Sequence, residues 1–188
     1  MTTKINLFLL FLLPAVLAAG GTTDLKSAPM DELVYHAQRY GNTAERREMK
    51  ARAREELFTR GADSLRYLMG QVHIENVMVQ VLTQQIVEQL KAEEAAPVLL
   101  DFLDNPRART RKLAAYFLGF YVTPQYADRV APLLADDEAA GAAIRTLGKW
   151  HIKSAVPAIV PFLSHEKEAR RIAAANALRD IGDPAALP

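Results

Sequence analysis

Cysteine is absent from the 188-residue chain, which removes disulfides, thiolate metal sites, lipid attachment through sulfur and thiol nucleophiles together. The nine glycines stand singly apart from Gly20-Gly21, so no glycine-rich loop exists to cradle a phosphate. Histidine is sparse: His36, His73, His151 and His165 fall far apart, none three or four residues from another, whereas a metal site needs convergent ligands. The serines Ser27, Ser64, Ser154 and Ser164 include none in a Gly-x-Ser-x-Gly elbow. No catalytic, cofactor-binding or metal-ligating set emerges, and the expectation is a protein that is not an enzyme and holds no cofactor. Charge of one sign is lacking too. Lys plus Arg number 23 against 22 Asp plus Glu, a balance that argues against nucleic acid or anionic lipid as the main partner.

Long apolar runs are equally rare, and the single example is at the start. Met1–Gly20 carries one cation at Lys4, an apolar stretch from Ile5 to Leu13, and small residues at Ala18, Ala19 and Gly20. This layout predicts a cleaved signal peptide over residues 1–20, with the cut between Ala18 and Gly21, and hence an exported protein, periplasmic or secreted. An uncleaved anchor is the competing arrangement, but a spanning helix needs about 20 apolar residues, and Pro14 interrupts this one. Membrane contact is expected only if that segment is retained. Residues 21–29 are small, polar and aperiodic, and read as a flexible leader.

What the sequence has in quantity is Ala and Leu, within a 50% hydrophobic composition that favours helices. Leu33, Val34, Ala37 and Tyr40 recur at helical spacing before Gly41-Asn42. Asn42-Thr43-Ala44-Glu45 then has the form of a capping box. It opens a charged helix whose apolar seam is only Met49, Ala53, Leu57 and Phe58. Residues 30–61 thus form a charged N-terminal capping hairpin, its acids and bases paired at helical spacing as in Glu48 with Arg52.

From Ala62 onward a period is visible. Ala155-Val156-Pro157 returns as Ala186-Leu187-Pro188, thirty-one residues later. With Arg66, Pro97, Asp128 and Pro157 as equivalent positions, two columns are uniformly apolar: Leu68, Leu99, Val130, Ile159 and Val72, Leu103, Leu134, Leu163. The second helices give a core column of Val87, Leu118, Leu147 and Leu178. Four residues earlier lies a small one (Thr83, Ala114, Ala143, Ala174), and three later a large one (Leu90, Tyr121, Trp150, Ile181). Alternation of large and small in register is what close helix stacking demands. The predicted repeats are 62–93, 94–123, 124–153 and 154–183, with a further one begun at 184–188, either truncated there or left unfinished. The third is two residues shorter, at the turn near Asp136-Asp137. Asn105-Pro106, Thr123-Pro124 and Asp183-Pro184 read as helix starts, and Pro132 and Pro161, in one column, predict a shared kink.

Pro157-Ala-Ile-Val-Pro-Phe-Leu, Arg171, Ala174, Ala177-Leu178 and Ile181-Gly182-Asp183-Pro184-Ala185 resemble the HEAT-like repeat, particularly the short form found in phycobilin lyases. The second repeat keeps Pro97, Asn105-Pro106, Arg111, Ala114 and Phe117-Leu118-Gly119; the third keeps Leu147-Gly148 but has Ala140 where the family's arginine stands, and the first has Gln80 there. The resemblance covers residues 62–188. It implies an all-α, right-handed α-solenoid of stacked antiparallel hairpins whose second helices line a concave face, and a role as an interaction scaffold.

Candidate contacts follow from the repeat. The column two residues before the core leucine holds Gln85, Tyr116, Arg145 and Asn176, polar or amphipathic and different in each repeat, as a specificity-bearing column should be. Phe120 and Lys149 lie beside it. Arg107, Arg109 and Lys112 open a second helix without nearby acids, while Arg111 matches the family's structural arginine. Phe117, Tyr121 and Trp150 are assigned to the core. The expected function is an exported scaffold that binds a protein partner through this face, without catalysis of its own. The alternatives are an enzyme or enzyme subunit of phycobilin-lyase type, against which export and the missing catalytic set both count, and an envelope structural protein held by an uncleaved N-terminus.

Overall fold

Apolar spacing in the sequence becomes helix wherever a continuous face can be buried. The computed structural model describes residues 24–39, 41–72 and 76–182. The segments expected to be a signal peptide with its cleavage site and the start of a further repeat, together with Tyr40 and His73, lie outside the described residues. Ten α-helices run through them, and no strand occurs among the described residues. They are α1 (Met30–Gln38), α2 (Ala44–Thr59), α3 (Ala62–Gln71), α4 (Val77–Gln89), α5 (Ala92–Asp101) and α6 (Ala108–Leu118). The last four are α7 (Ala127–Val130), α8 (Ala140–Lys149), α9 (Val156–Ile159) and α10 (Glu168–Ile181). Consecutive helices pair as hairpins and the hairpins stack: α1 packs on α2, α3 on both α4 and α5, α6 on α8, and α8 on α10. The chain is an α-solenoid.

The repeat columns are its core. Leu68, Leu99, Val130 and Ile159 are all fully enclosed, as are Thr83, Ala114, Ala143 and Ala174. Each fully enclosed Leu, Val or Ile contributes about 2 kcal/mol. The column Val72, Leu103, Leu134, Leu163 behaves differently: its first two members are buried, Leu134 is half-buried, and Leu163 is 37% exposed. Leu163 lies in a 3₁₀ segment, Val160–Ser164, whose tighter winding carries side chains off the α-helical seam. Pro132 and Pro161 account for that winding. Each stands at the second position of a 3₁₀ stretch, Ala131–Ala135 and Val160–Ser164, directly after a four-residue α-helix. The expected kink is therefore a change of helix type, because proline has no N–H for the i→i−4 bond.

Local signals shifted in two places. The cap of α2 is Thr43, which accepts from Arg46 N at 3.3 Å, one residue later than Asn42. The flexible leader does not extend through residues 24–29: Leu25 is 3% exposed, and Arg60 Nη2 donates to the carbonyls of Leu25 and Lys26 at 3.2 and 3.0 Å. A buried leucine and two carbonyl clamps tie this segment to the end of α2.

Successive second helices meet through their smallest side chains. A Cβ on Gly148 of α8 would lie 2.6 Å from the Cα and Cβ of Ala177 in α10, so only hydrogen fits there. Between α6 and α8, Thr146 Oγ1 donates to the Ala115 carbonyl at 2.7 Å, spending a buried hydroxyl on the neighbouring hairpin. The intrahairpin turns are pinned by the arginine column. Arg111 Nη1 donates to the carbonyls of Asn105 and Pro106 at 2.8 and 3.1 Å, and Arg171 Nη1 to those of His165 and Glu166, both at 2.8 Å. The shortened third turn lacks such an arginine and is closed by an acid. Asp136 Oδ1 accepts from Glu138 N at 2.8 Å and Ala139 N at 2.9 Å, while Oδ2 accepts from Arg111 Nε at 2.7 Å. Helix α8 ends on His151, whose φ of 54° matches the 64° of Gly182 after α10. A non-glycine residue in this left-handed region costs about 1 kcal/mol, offset here by its ring Nδ1 facing the Asp180 carbonyl.

Two expected outcomes test this packing. Gly148→Ala lowers stability by about 2 kcal/mol in urea unfolding, because backbone must move. Gly70→Ala, where nothing lies within 4 Å of the added carbon, raises it by about 0.5 kcal/mol. The Asp136 carboxyl gives a pH signature. Burial alone would raise it, but the N–H groups of Ala139 and Glu138 and the Arg111 guanidinium hold it below its usual value. A carboxylate depressed in the folded state adds stability above its unfolded pKa and loses it as pH falls through the folded one. Asp136→Asn is thus less stable than wild type at neutral pH, and the gap closes below about pH 4, followed by melting at several pH values.

Candidate functional site

The second helices α4, α6, α8 and α10 carry the column singled out by the repeat. Tyr116, Arg145 and Asn176 are exposed, Tyr116 by 38%. Gln85 departs from them: it is half-buried, and its Oε1 is enclosed without a hydrogen-bond partner. It belongs to the packing of the first repeat more than to a contact surface.

Around Tyr116 the face is built in advance of any ligand. The Phe120 ring stands edge-on to Tyr116 at 5.3 Å and tilted to Phe117 at 5.9 Å between centroids. Lys149 Nζ reaches across from α8, 5.7 Å from the Phe120 centroid and 3.0 Å from the Gly119 carbonyl, to which it donates. Aromatic pairs of this kind contribute about 1 kcal/mol beyond their area, and an exposed cation over a ring about 0.5–1. Side chains already held in one arrangement lose little freedom when a partner covers them.

Lys112 and Arg109 lie one and two turns back along α6. With Ala108 and Leu113 of the same helix, Gln80 of α4 and Glu138 before α8 they line a shallow groove. The basic group at the start of α6 has no acid near it in sequence, but the fold supplies two from the next turn: Lys112 Nζ lies 3.0 Å from Glu138 Oε1, and Arg111 pairs with Asp136. Arg107 caps the start of α6 through its backbone, its N–H donating to Asn105 Oδ1 at 3.0 Å. Asn105 therefore serves the helix start from two residues back, while Thr123 makes no side-chain cap.

The aromatic column behind this face is structural. Tyr121 donates its hydroxyl to the Val87 carbonyl, and Trp150 Nε1 donates to the Tyr121 carbonyl, both at 2.5 Å. Three hairpins are joined by this rail. Burial, with a smaller contribution from the Glu94 charge, pushes the Tyr121 phenol up to about 12, so it remains a donor throughout the physiological range.

Several face residues lie outside the column of Gln85, Tyr116, Arg145 and Asn176. Val81 and Ile172, four residues before Gln85 and Asn176, are exposed apolar side chains, at 37% and 53%. They share a column with Lys112 and Gly141, and its mixed chemistry was the signal that marks it as outward-facing. Gln80, Leu113 and Glu138 join the groove through the relation of α4 to α6, which no single-helix pattern encodes. At the N-terminal hairpin, α2 encloses Ala53 and Leu57, turns Glu45, Arg46, Arg47, Glu48, Arg52 and Glu55 outward, and keeps Arg54 and Glu56 partly covered. Among the described residues no three His, Asp or Glu side chains are grouped so as to hold a metal ion, and no helix is long and apolar enough to cross a membrane.

Comparison with known proteins agrees with this architecture. Residues 135–188 match the family model for HEAT repeats. No curated protein matches the chain in sequence. Among solved structures, the complex of CpcE and CpcF of phycocyanin lyase from Nostoc sp. PCC7120 superposes with a TM-score of 0.55 at 17% identity, covering 85% of this chain and 67% of that one. The likeness is one of fold. It corrects the expectation that the chain is not an enzyme: a lyase complex uses this same stack of hairpins, so the missing catalytic motifs separate nothing.

Two substitutions distinguish frame from surface in thermal unfolding. Trp150→Phe removes the donor to Tyr121 and leaves a buried carbonyl unsatisfied, lowering stability by about 1–2 kcal/mol. Lys149→Ala, on the exposed side, costs about 0.5 kcal/mol.

Proposed function

We propose that this HEAT-like repeat chain is a subunit of an enzyme of the phycobilin-lyase type, and that it docks a protein partner on the face of its second helices. The Tyr116, Phe120 and Lys149 cluster carries the docking half of the proposal. It is an exposed tyrosine held edge-on by the Phe120 ring, over which a cation from the neighbouring helix lies, the kind of rigid amphipathic anchor that dominates contact energy. The lyase half is supported by the fold likeness alone, to a complex whose two components are themselves named together. Export is a separate proposal that counts against the lyase half and not against the docking half, supported by Lys4 and the apolar run Ile5–Leu13. A mature chain whose mass lacks Met1–Ala18 or slightly more supports it, and a retained segment supports an anchor.

Crosslinking in the intact cell, followed by identification of what is captured, tests the docking face. Tyr116→Ala combined with Arg145→Ala is expected to lose the partner seen with wild type by about tenfold or more; equal capture places the interface elsewhere. For the lyase half, the protein purified with its partner and supplied with a linear tetrapyrrole is expected to develop a stable visible absorption band on the partner. No band above that of the partner alone counts against it.

A further inference from the structure

We infer that an acidic segment of the partner protein lies in the groove between α4 and α6 and continues onto the adjoining face of α6 and α8, its carboxylates held by Arg109 in the groove and Arg145 on α8, and an apolar side chain seated on Leu113 and Tyr116. The inference rests on the docking face proposed above and adds the chemistry of its occupant.

Charge on the second-helix face is unevenly spread, although the chain as a whole is nearly neutral. The α6 and α8 faces carry four cations, Arg109, Lys112, Arg145 and Lys149. One acid stands among them, Glu138, already 3.0 Å from Lys112. Lys149 is committed to the Gly119 carbonyl. Arg109 and Arg145 have no hydrogen-bond or ion-pair partner among the described residues. The helices on either side dilute the charge. Outward groups of α4 are Gln80, Gln84 and Glu88, the last two bonded to each other at 2.8 Å. On α10 the outward charges of the last turn, Arg179 and Asp180, neutralise each other at 2.9 Å. The two unpaired guanidiniums thus stand on the middle two hairpins, where Arg109, Lys112 and Leu113 line the groove and the exposed Tyr116 lies three residues beyond Leu113 on α6.

Two unpaired guanidiniums beside an apolar seat select for carboxylates. The planar fork of arginine matches a carboxylate with two parallel donors, and such charge-assisted bonds are about twice as strong as neutral ones. A basic segment would face four cations and meet one acid, already occupied. A nucleic acid would need a longer cationic track than two free arginines provide. An extended acidic stretch with one aliphatic or aromatic side chain satisfies charge and apolar surface together.

The test is direct binding by the full chain, read by fluorescence anisotropy. The probe is a labelled twelve-residue peptide of alternating Glu and Gly with one central Leu, and the control replaces every Glu by Gln. Wild type is expected to bind the acidic peptide about tenfold more tightly than the control, with affinity falling several-fold between 50 and 200 mM salt. Arg109→Glu with Arg145→Glu is expected to abolish that preference while its melting curve stays near wild type. Should the charge-reversed chain prove unfolded, Arg109→Gln with Arg145→Gln serves, with a loss of about fivefold expected. The inference is overturned by equal binding of acidic and Gln peptides, by no binding to wild type at about 1 mM, by unchanged binding in both double variants, or by a single-stranded oligonucleotide that binds more tightly than the peptide. Capture of the cellular partner separates this failure from failure of the docking face. If charge reversal leaves capture intact while Tyr116→Ala with Arg145→Ala abolishes it, the acidic occupant is wrong and the face stands. If neither changes capture, the face itself is wrong.

Discussion

Everything in this chain depends on how closely one second helix approaches the next. Without cysteine, and with no strand among the described residues, the stack is held by burial and by groups that cross between hairpins. Ala114, Ala143 and Ala174 keep the contact faces shallow, and Gly148 lets α8 meet α10 with only the Ala177 methyl at the contact. Close approach then makes the crossing hydrogen bonds possible. Thr146 reaches the Ala115 carbonyl, Trp150 the Tyr121 carbonyl, and Tyr121 the Val87 carbonyl, each satisfying a group at or near a helix end that would otherwise be buried unpaired. Packing and polar satisfaction reinforce one another along the stack.

The candidate interaction face is a by-product of the same geometry. Once α6 and α8 lie side by side, residues two positions before each core leucine project outward together, and Lys149 can rest over Phe120. Nothing in the core depends on the chemistry of Tyr116 or Arg145, so these positions are free to vary between repeats and to carry specificity. The contrast with Gln85 is instructive. In the first repeat the same column is half-buried with an unsatisfied oxygen, which concentrates the usable surface on the middle of the array.

Much of the fold was legible because a repeat supplies its own control: four independent copies of Leu68, Leu99, Val130 and Ile159 cannot all be apolar by accident, and all are enclosed. Single-copy signals fared less well. The cap of α2 moved from Asn42 to Thr43, since two adjacent residues of capping chemistry compete and backbone geometry decides. Leu163 kept its column and lost its burial when Pro161 changed the winding beneath it. The acids that neutralise Lys112 and Arg111 come from 26 and 25 residues away, beyond any local pattern. On function, absent motifs decide nothing: a stack of hairpins with no catalytic signature shares its fold with a lyase complex, because stacking, and not chemistry, is what the repeat pattern records.

Hydrogen exchange of the full chain, alone and with its captured partner, is the most direct examination of the claim that the α6 and α8 face is where the protein works. Added protection confined to residues 108–120 and 141–149, with α2 and the first-helix side of the stack unchanged, is the result this account predicts. Protection centred on α2 or on the first helices, with α6 and α8 exchanging as in the free protein, would contradict it.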